Sequence, residues 1–367
     1  REIMGDDIGA IFSFGEVEAG TEVEVKVGIS YTSIENARRN LDAEVGRRGF
    51  DEVRTAAHAK WSEALGKIRV EGGSNEDKTI FYTALYHALL HPNILSDVNG
   101  EYPAMESGAT GVAAGYNRYT VFSLWDTYRN VHQLLTLVYP DVQTDMIRSM
   151  VAMSEEWGWL PRWELYGRET FTMEGDPAIP VIVDSYLKGL CDFDVEAAYE
   201  AMKRSATTEG KNNPIRRDID PYIERGYIPV GLFAQDMSGD NSVSHALEYY
   251  VADHALARFA REMGDVEFAE ELDRRAAGWK HYYSKRDGAM RPIGEDANYV
   301  GEFDPTAGAN FSNTIGFHEG SSWNYTFFVP HDIEGLIKYM GGKKVFTDKL
   351  WMIFEEGHYD PTNEPDI

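Results

Sequence analysis

The stretch "SVSHALEYYVADHALARFAREMGDVEFAEELDRRAAGWKHYY", residues 242–283, decides the fold class. Between 243 and 263 the apolar residues Leu247, Tyr250, Leu256, Phe259 and Met263 recur at helical spacing. Between 265 and 283, Phe268, Leu272, Ala276, Trp279 and Tyr283 do the same. Gly264 stops the first run, and a junction of one or two residues forces the second helix back along the first as an antiparallel hairpin.

Working outward, the same period predicts helices at roughly 122–138, 142–157, 178–190 and 194–205, and again near 331–340 and 346–356, about ten in all. "EDKTIFYTALYHALLH" (76–91) places Ile80, Phe81, Ala84, Leu85, Ala88 and Leu89 on one face, with Ser74 and Asp77 as an acidic capping box. Successive hairpins joined by long Gly- and Pro-rich loops predict a closed ring, an (α/α) toroid. An open solenoid is the alternative, and the lack of a fixed-period repeat weighs against it. Loops 97–120 and 284–316 exceed what a connector needs, which makes them candidate site loops.

The front of the chain reads differently. "IGAIFSF" (8–14) and "TEVEVKVGISY" (21–31) are predicted strands; in the second, Val23, Val25, Val27 and Ile29 alternate with Glu22, Glu24 and Lys26. They are read as the last hairpin of a larger β domain. From Ser33, "SIENARRNLDAEV" and "FDEVRTAAHAKWSEALGKI" are mostly polar helices, read as a linker.

Composition narrows the function class. The 367 residues include 61 acidic against 35 basic, a net charge of −26. No basic footprint exists to displace counterions from nucleic acid or to seek an anionic membrane surface. A neutral substrate or a cation suits this charge. The 21 Tyr and 8 Trp exceed what a core requires and suit a surface that stacks on a ligand. The single cysteine, Cys191, forms no internal disulfide; between Leu190 and Asp192 it is read as a buried small apolar residue. No run of 18 apolar residues spans a membrane, and no signal peptide is visible.

Four stretches carry chemistry. In "TVFSLWDTYRNVHQLL" (120–135), Trp125 and Asp126 sit at a helix mouth, where a ring packs on sugar C–H faces and a carboxylate takes hydroxyls. The plainer reading is an Asp satisfying the helix dipole. "GWLPRWELYGRETFTMEGDPAIP" (158–180) mixes Trp159, Arg162, Trp163, Glu164, Glu169, Glu174 and Asp176 with turn residues, as a pocket loop does; otherwise it is a charged surface loop. "FHEGSSWNYTFFVPHD" (317–332) presents Glu319 beside His318. "HYDPTNEPDI" (358–367) gathers oxygen ligands of the kind calcium takes, without EF-hand spacing. No GxSxG, HExxH, P-loop or GxGxxG is present. Isolated histidines such as His132 and His254 are read as structural.

Six blocks, "FSLWDTYRNVHQLLTLVYPD", "GWLPRWEL", "ETFTMEGDPAIPVIVDSYLKG", "SVSHALEYYVADHALARFA", "HEGSSWNYTFFVPHD" and "NEPDI", in this order resemble the signature blocks of glycoside hydrolase family 92, the bacterial calcium-dependent α-mannosidases. The resemblance implies a mainly α fold: an (α/α)6 toroid at 76–367, here incomplete, behind a helical linker at 33–75 and the last strands of an N-terminal β-sandwich at 1–32. It implies exo-acting, inverting hydrolysis of terminal α-mannosides on mannose-containing glycans, with calcium as cofactor, in an extracytoplasmic compartment of a bacterium. Glu319 takes the place of the general acid. Trp125 and Asp126 inherit a grip on the terminal mannose, and Asn363 and Glu364 a place near the next sugar and the calcium. Members acting on α-1,2 links carry His-Glu there; Asn363 departs from that pattern. The family's general base lies in a "GNDD" block that this chain does not contain, so the chain is expected to be an internal fragment, inactive alone. Rival readings are a non-catalytic sugar-binding toroid, told apart by mannose binding without hydrolysis, another (α/α) hydrolase, told apart by release of glucose, and a helical scaffold without ligand.

Overall fold

A computed structural model describes residues 9, 11–232, 240–307 and 314–356 of the chain. The predicted hairpin is its centre. A helix runs over Ser242–Glu262, Gly264 turns left-handed at φ +80, and Asp265 caps the returning helix Val266–Ala276 by accepting from Phe268 N. A short helix, Trp279–Tyr282, continues the return.

Fifteen of the 21 residues of Ser242–Glu262 are buried, so other elements surround it. Leu256, Phe259 and Ala260 pack into one core with Ile179 and Ile182 of the helix Ala178–Leu187, Met202 of Val195–Thr207, and Phe268 and Leu272. Tyr249 and Tyr250 pack into a second core with Tyr222, Trp279, Tyr282, Val329 and Leu336. The helix Pro140–Trp157 begins with proline at its first turn, where the missing N–H costs nothing, and ends on Gly158 at φ +102. Among the described residues, strands are at most three residues long. The three-stranded antiparallel sheet of Phe122–Ser123, Trp163–Leu165 and Arg168–Glu169 ties two of the chemistry-bearing stretches together.

Four expectations need correction. The predicted helix at 122–138 is two helices, Leu124–Thr127 and Val131–Val138, because Asn130 leaves helical geometry at φ −156. The predicted strand at 21–31 forms no ladder: Val25, Val27 and Ile29 are 70%, 72% and 66% exposed. Alternation equips a segment for a sheet, but a strand also needs a partner backbone and a covering face, and the described residues supply neither. The segment instead lies along the linker, with Lys26 Nζ donating to the Arg48 carbonyl at 2.6 Å and Asn40 Nδ2 to the Ile29 carbonyl at 2.8 Å. The helix Asn75–Ala88 has the predicted Ser74–Asp77 capping box, yet only Leu85 of its apolar face is buried. Cys191 is exposed, because it follows the end of its helix at Leu187 and has no packed face to join.

The linker helices Ile34–Glu44 and Phe50–Leu65 bury little apolar surface. The first is held by Asp97, which accepts from Asn36 (2.9 Å), Asn40 (2.6 Å), Ser30 (2.8 Å) and Thr32 (2.5 Å). Burial pushes the Asp97 carboxyl up, and these hydrogen bonds outweigh it and hold the pKa below its ordinary value.

His132 is structural, as expected. Its ring lies 2.9 Å from Gln143 Oε1 and 2.9 Å from Thr127 Oγ1, and burial pushes its pKa from 6.5 down to about 4. The unfolded chain therefore binds a proton that the folded state refuses between pH 6.5 and about 4. Stability is full above that window and falls as pH drops through it, by about 1.4 kcal/mol per pH unit, or about 3 kcal/mol at the bottom. His132→Gln is expected to give a shallower acid slope than the parent in denaturant titrations at pH 7, 6 and 5.

Candidate active site

The first four amides of a helix such as Ser242–Glu262 have no partner within it. Here the Gly316 carbonyl accepts from both Val243 N (3.0 Å) and Ser244 N (3.1 Å). Ser244 Oγ then accepts from His318 N at 3.0 Å, and Tyr325 OH donates to the His318 carbonyl at 2.7 Å. With both sides of the His318 backbone fixed, the next residue, Glu319, leaves at φ +46, a left-handed conformation that costs a non-glycine residue about 1 kcal/mol or more. Its side chain is 26% exposed. Ser321 and Asn324 form a capping box that opens the helix Ser322–Thr326 just beyond.

Glu174 arrives from the opposite side. Met173 and Gly175 on either side of it are left-handed, at φ +62 and +80, so the chain kinks sharply and delivers the carboxylate inward. Gly175 admits no side chain: a Cβ there would stand 2.6 Å from Glu248 Cβ. Glu174 is 1% exposed and accepts from Asn241 Nδ2 at 2.9 Å. It also touches two imidazoles, His318 through Nδ1 and His245 through Nε2. His245 Nδ1 in turn lies 2.6 Å from Asp218 Oδ2, whose other oxygen accepts from Tyr249 OH at 2.8 Å. Burial pushes His245 down to about 3, with the charges of Arg162 and His318 adding, and pushes Asp218 up to about 6. Both shifts favour the neutral forms. A cavity of ≈ 40 Å³ opens beside it, lined in part by Arg162, Phe171, Asp218 and His245.

On the Trp125 side, the break before Val131 turns Arg129 inward. Its guanidinium lies 4.5 Å over the Trp125 ring and 5.0 Å over Phe328, and pairs with Glu248 at 3.0 Å. Tyr128 OH donates to the other Glu248 oxygen at 2.7 Å. Burial raises the Glu248 pKa and Arg129 opposes it. Tyr325 links the two sides: burial raises its pKa, and the charges of Glu248, Arg129 and Glu319 all reach its hydroxyl.

The structure thus brings Trp125 and Glu319 to either side of one Tyr325–Arg129–Glu248 floor. Asp126 shares the short helix Leu124–Thr127, is exposed, and accepts from Ser123 Oγ. Asn363 and Glu364 lie outside the described residues. Among the described residues no group of three or more His, Cys, Asp or Glu is arranged to hold a metal ion.

The 158–180 stretch divides by role. Glu164 accepts from Thr120 Oγ1 (2.9 Å) and Gly167 N (2.6 Å); burial pushes its pKa up to about 7. Glu169 accepts from the amides of Arg162 (2.8 Å) and Phe171 (2.8 Å). Both brace turns. Asp176 joins Arg216 (2.8 Å), which also pairs with Asp253 at 2.6 Å, in an ion triad that is wholly buried. Of these carboxylates, Glu174 is the one that touches the His318 ring. His331 and Asp332 do not pair with each other: His331 Nε2 reaches the Ala276 carbonyl at 3.0 Å, and Asp332 caps the helix Ile333–Tyr339.

Sequence reasoning missed His245, Asp218 and Arg216. One signal was present: His245, Tyr249 and Asp253 stand at i, i+4 and i+8 on a helix otherwise rich in apolar residues. Replacing Arg216 by Met is expected to leave Asp176 and Asp253 buried without a counter-charge, costing about 3–5 kcal/mol. A denaturant titration showing less than about 1 kcal/mol would mean that the carboxylates find protons or water instead.

Comparison with known proteins follows from this geometry. The sequence model described as the glycosyl hydrolase family 92 catalytic domain matches residues 36–367. An uncharacterized secreted glycosidase of the fungus Arthroderma benhamiae is 27% identical over 94% of this chain and 44% of its own length. A family 92 α-mannosidase of Bacteroides thetaiotaomicron, solved in complex with mannoimidazole, superposes with a TM-score of 0.80 at 33% identity, covering 89% of this chain and 42% of that one. A family 92 inverting mannosidase of the same organism gives 0.79 at 30% identity, over 88% and 42%. The chain spans less than half the length of these relatives.

Proposed function

The chain belongs to glycosyl hydrolase family 92, and on that premise we propose that it carries the acid half of an exo-acting, inverting α-mannosidase that removes terminal α-mannosides from glycans. The observation that carries this reading is Glu319. Of the three carboxyls here, Glu174 and Glu248 are 1% and 3% exposed and engaged with His245, His318 and Arg129, whereas Glu319 is 26% exposed and follows His318, whose amide and carbonyl are both held. A carboxyl that is accessible yet fixed in direction suits proton donation to a leaving oxygen. Inversion requires a second carboxylate to activate water from the opposite face, ~6.5–9.5 Å from the acid. Trp125 would pack on the terminal mannose and Asp126 would accept its hydroxyls. Asn363 and Glu364 would lie by the next sugar.

The helices would form an arc of an (α/α)6 toroid over 76–367, with 33–75 as its linker. Calcium would engage mannose hydroxyls; among the described residues no group of three or more His, Cys, Asp or Glu is arranged to hold it. An extracytoplasmic location agrees with the secreted relative. Among the described residues no helix is long and apolar enough to cross a membrane.

Glu319→Gln in the full-length protein is expected to lower kcat on a mannose disaccharide by about 10²–10⁴-fold and to spare an aryl mannoside whose leaving group needs no proton. Near-parental turnover of the disaccharide would overturn the assignment. Chelation is expected to abolish activity and added calcium to restore it; activity indifferent to chelator removes calcium from the proposal.

A further inference from the structure

Glu174 is a carboxylate at 1% exposure, and desolvating it costs several kcal/mol before any partner is counted. A leucine there would support a core better. Its partners show where that cost goes: Asn241 Nδ2 at 2.9 Å, the His245 ring and the His318 ring. His318 is then held at three points, its amide by Ser244 Oγ, its carbonyl by Tyr325 OH, and its ring by Glu174. The remaining ring nitrogen, Nε2, lies 4.0 Å from Glu319 Oε1. A carboxylate on Nδ1 fixes the orientation of an imidazole and the tautomer it adopts.

We propose that Glu174 and His318 are positioning residues for Glu319: the buried carboxylate locks the His318 ring, and the locked residue sets the direction of the neighbouring carboxyl and the face its proton meets. The His245–Asp218 pair behind Glu174 braces it from the other side. This inference rests on Glu319 being the proton donor. It goes beyond that reading by making the donor's aim depend on a group contributed from residue 174, far away in sequence. No bond is made or broken at Glu174 or His318; they act on the geometry of the step.

A misaimed acid fails on substrates that need its proton and not on those that do not. Glu174→Gln keeps an acceptor for Nδ1 but loses the charge, and Tyr325→Phe removes only the hydroxyl that holds the His318 carbonyl. Each would be assayed in the full-length protein on a mannose disaccharide and on an aryl mannoside with an activated leaving group, beside Glu319→Gln. Both variants are expected to lose about 10–10²-fold in kcat on the disaccharide, the scale of a displaced catalytic group, and at least about tenfold less than that on the aryl mannoside. Equal losses on the two substrates, or none, in both variants would overturn the positioning role. If Glu319→Gln itself shows no leaving-group selectivity, the general-acid reading and this inference fall together. If it does and the two variants do not, this inference alone falls.

Discussion

The site depends on one constraint: a mostly buried helix, Ser242–Glu262, carries, as far as Asp253, ionisable groups that must each find a partner out of water. His245, Glu248 and Asp253 cannot be left bare at that depth. Glu248 draws in Arg129 and Tyr128, Asp253 draws in Arg216 and Tyr222, and His245 lies between Glu174 and Asp218. Those partners come from segments far apart in the chain, so satisfying one helix places most of the loops. The tyrosines help for a simple reason: each brings an apolar ring for the core and one hydroxyl for a carboxylate.

The same helix also supplies the anchor for Glu319. Its second and third amides capture the Gly316 carbonyl, and from there single hydrogen bonds fix His318, the residue before Glu319. The elements that place Glu319 are thus those that hold the buried charges. Loss of packing in that helix would be felt at the site before the core as a whole gave way.

Much of this was legible in the residues, and the boundary falls where local signals end. The 242–283 hairpin was readable because apolar spacing and Gly264 act over a few residues. The Trp125 and Glu319 segments were readable from composition and resemblance. The break at Asn130 was not, since Arg129 turns toward a carboxylate 119 positions away. The carboxylates of 158–180 look alike in sequence, yet Glu164 and Glu169 brace turns, Asp176 pairs with Arg216, and Glu174 reaches His318. Only long-range packing separates those roles. The 21–31 alternation described a surface suited to a sheet, and the exposed positions of Cys191 and Ile80 likewise depend on what covers them.

The left-handed backbone at Glu319 sets stability and chemistry against each other at a single position. Glycine would relieve the strain there and remove the carboxyl in the same stroke. On the proposed role of Glu319, a population screened only for thermal tolerance would be drawn toward chains that have lost their acid at residue 319, and drift without selection on turnover would follow the same slope.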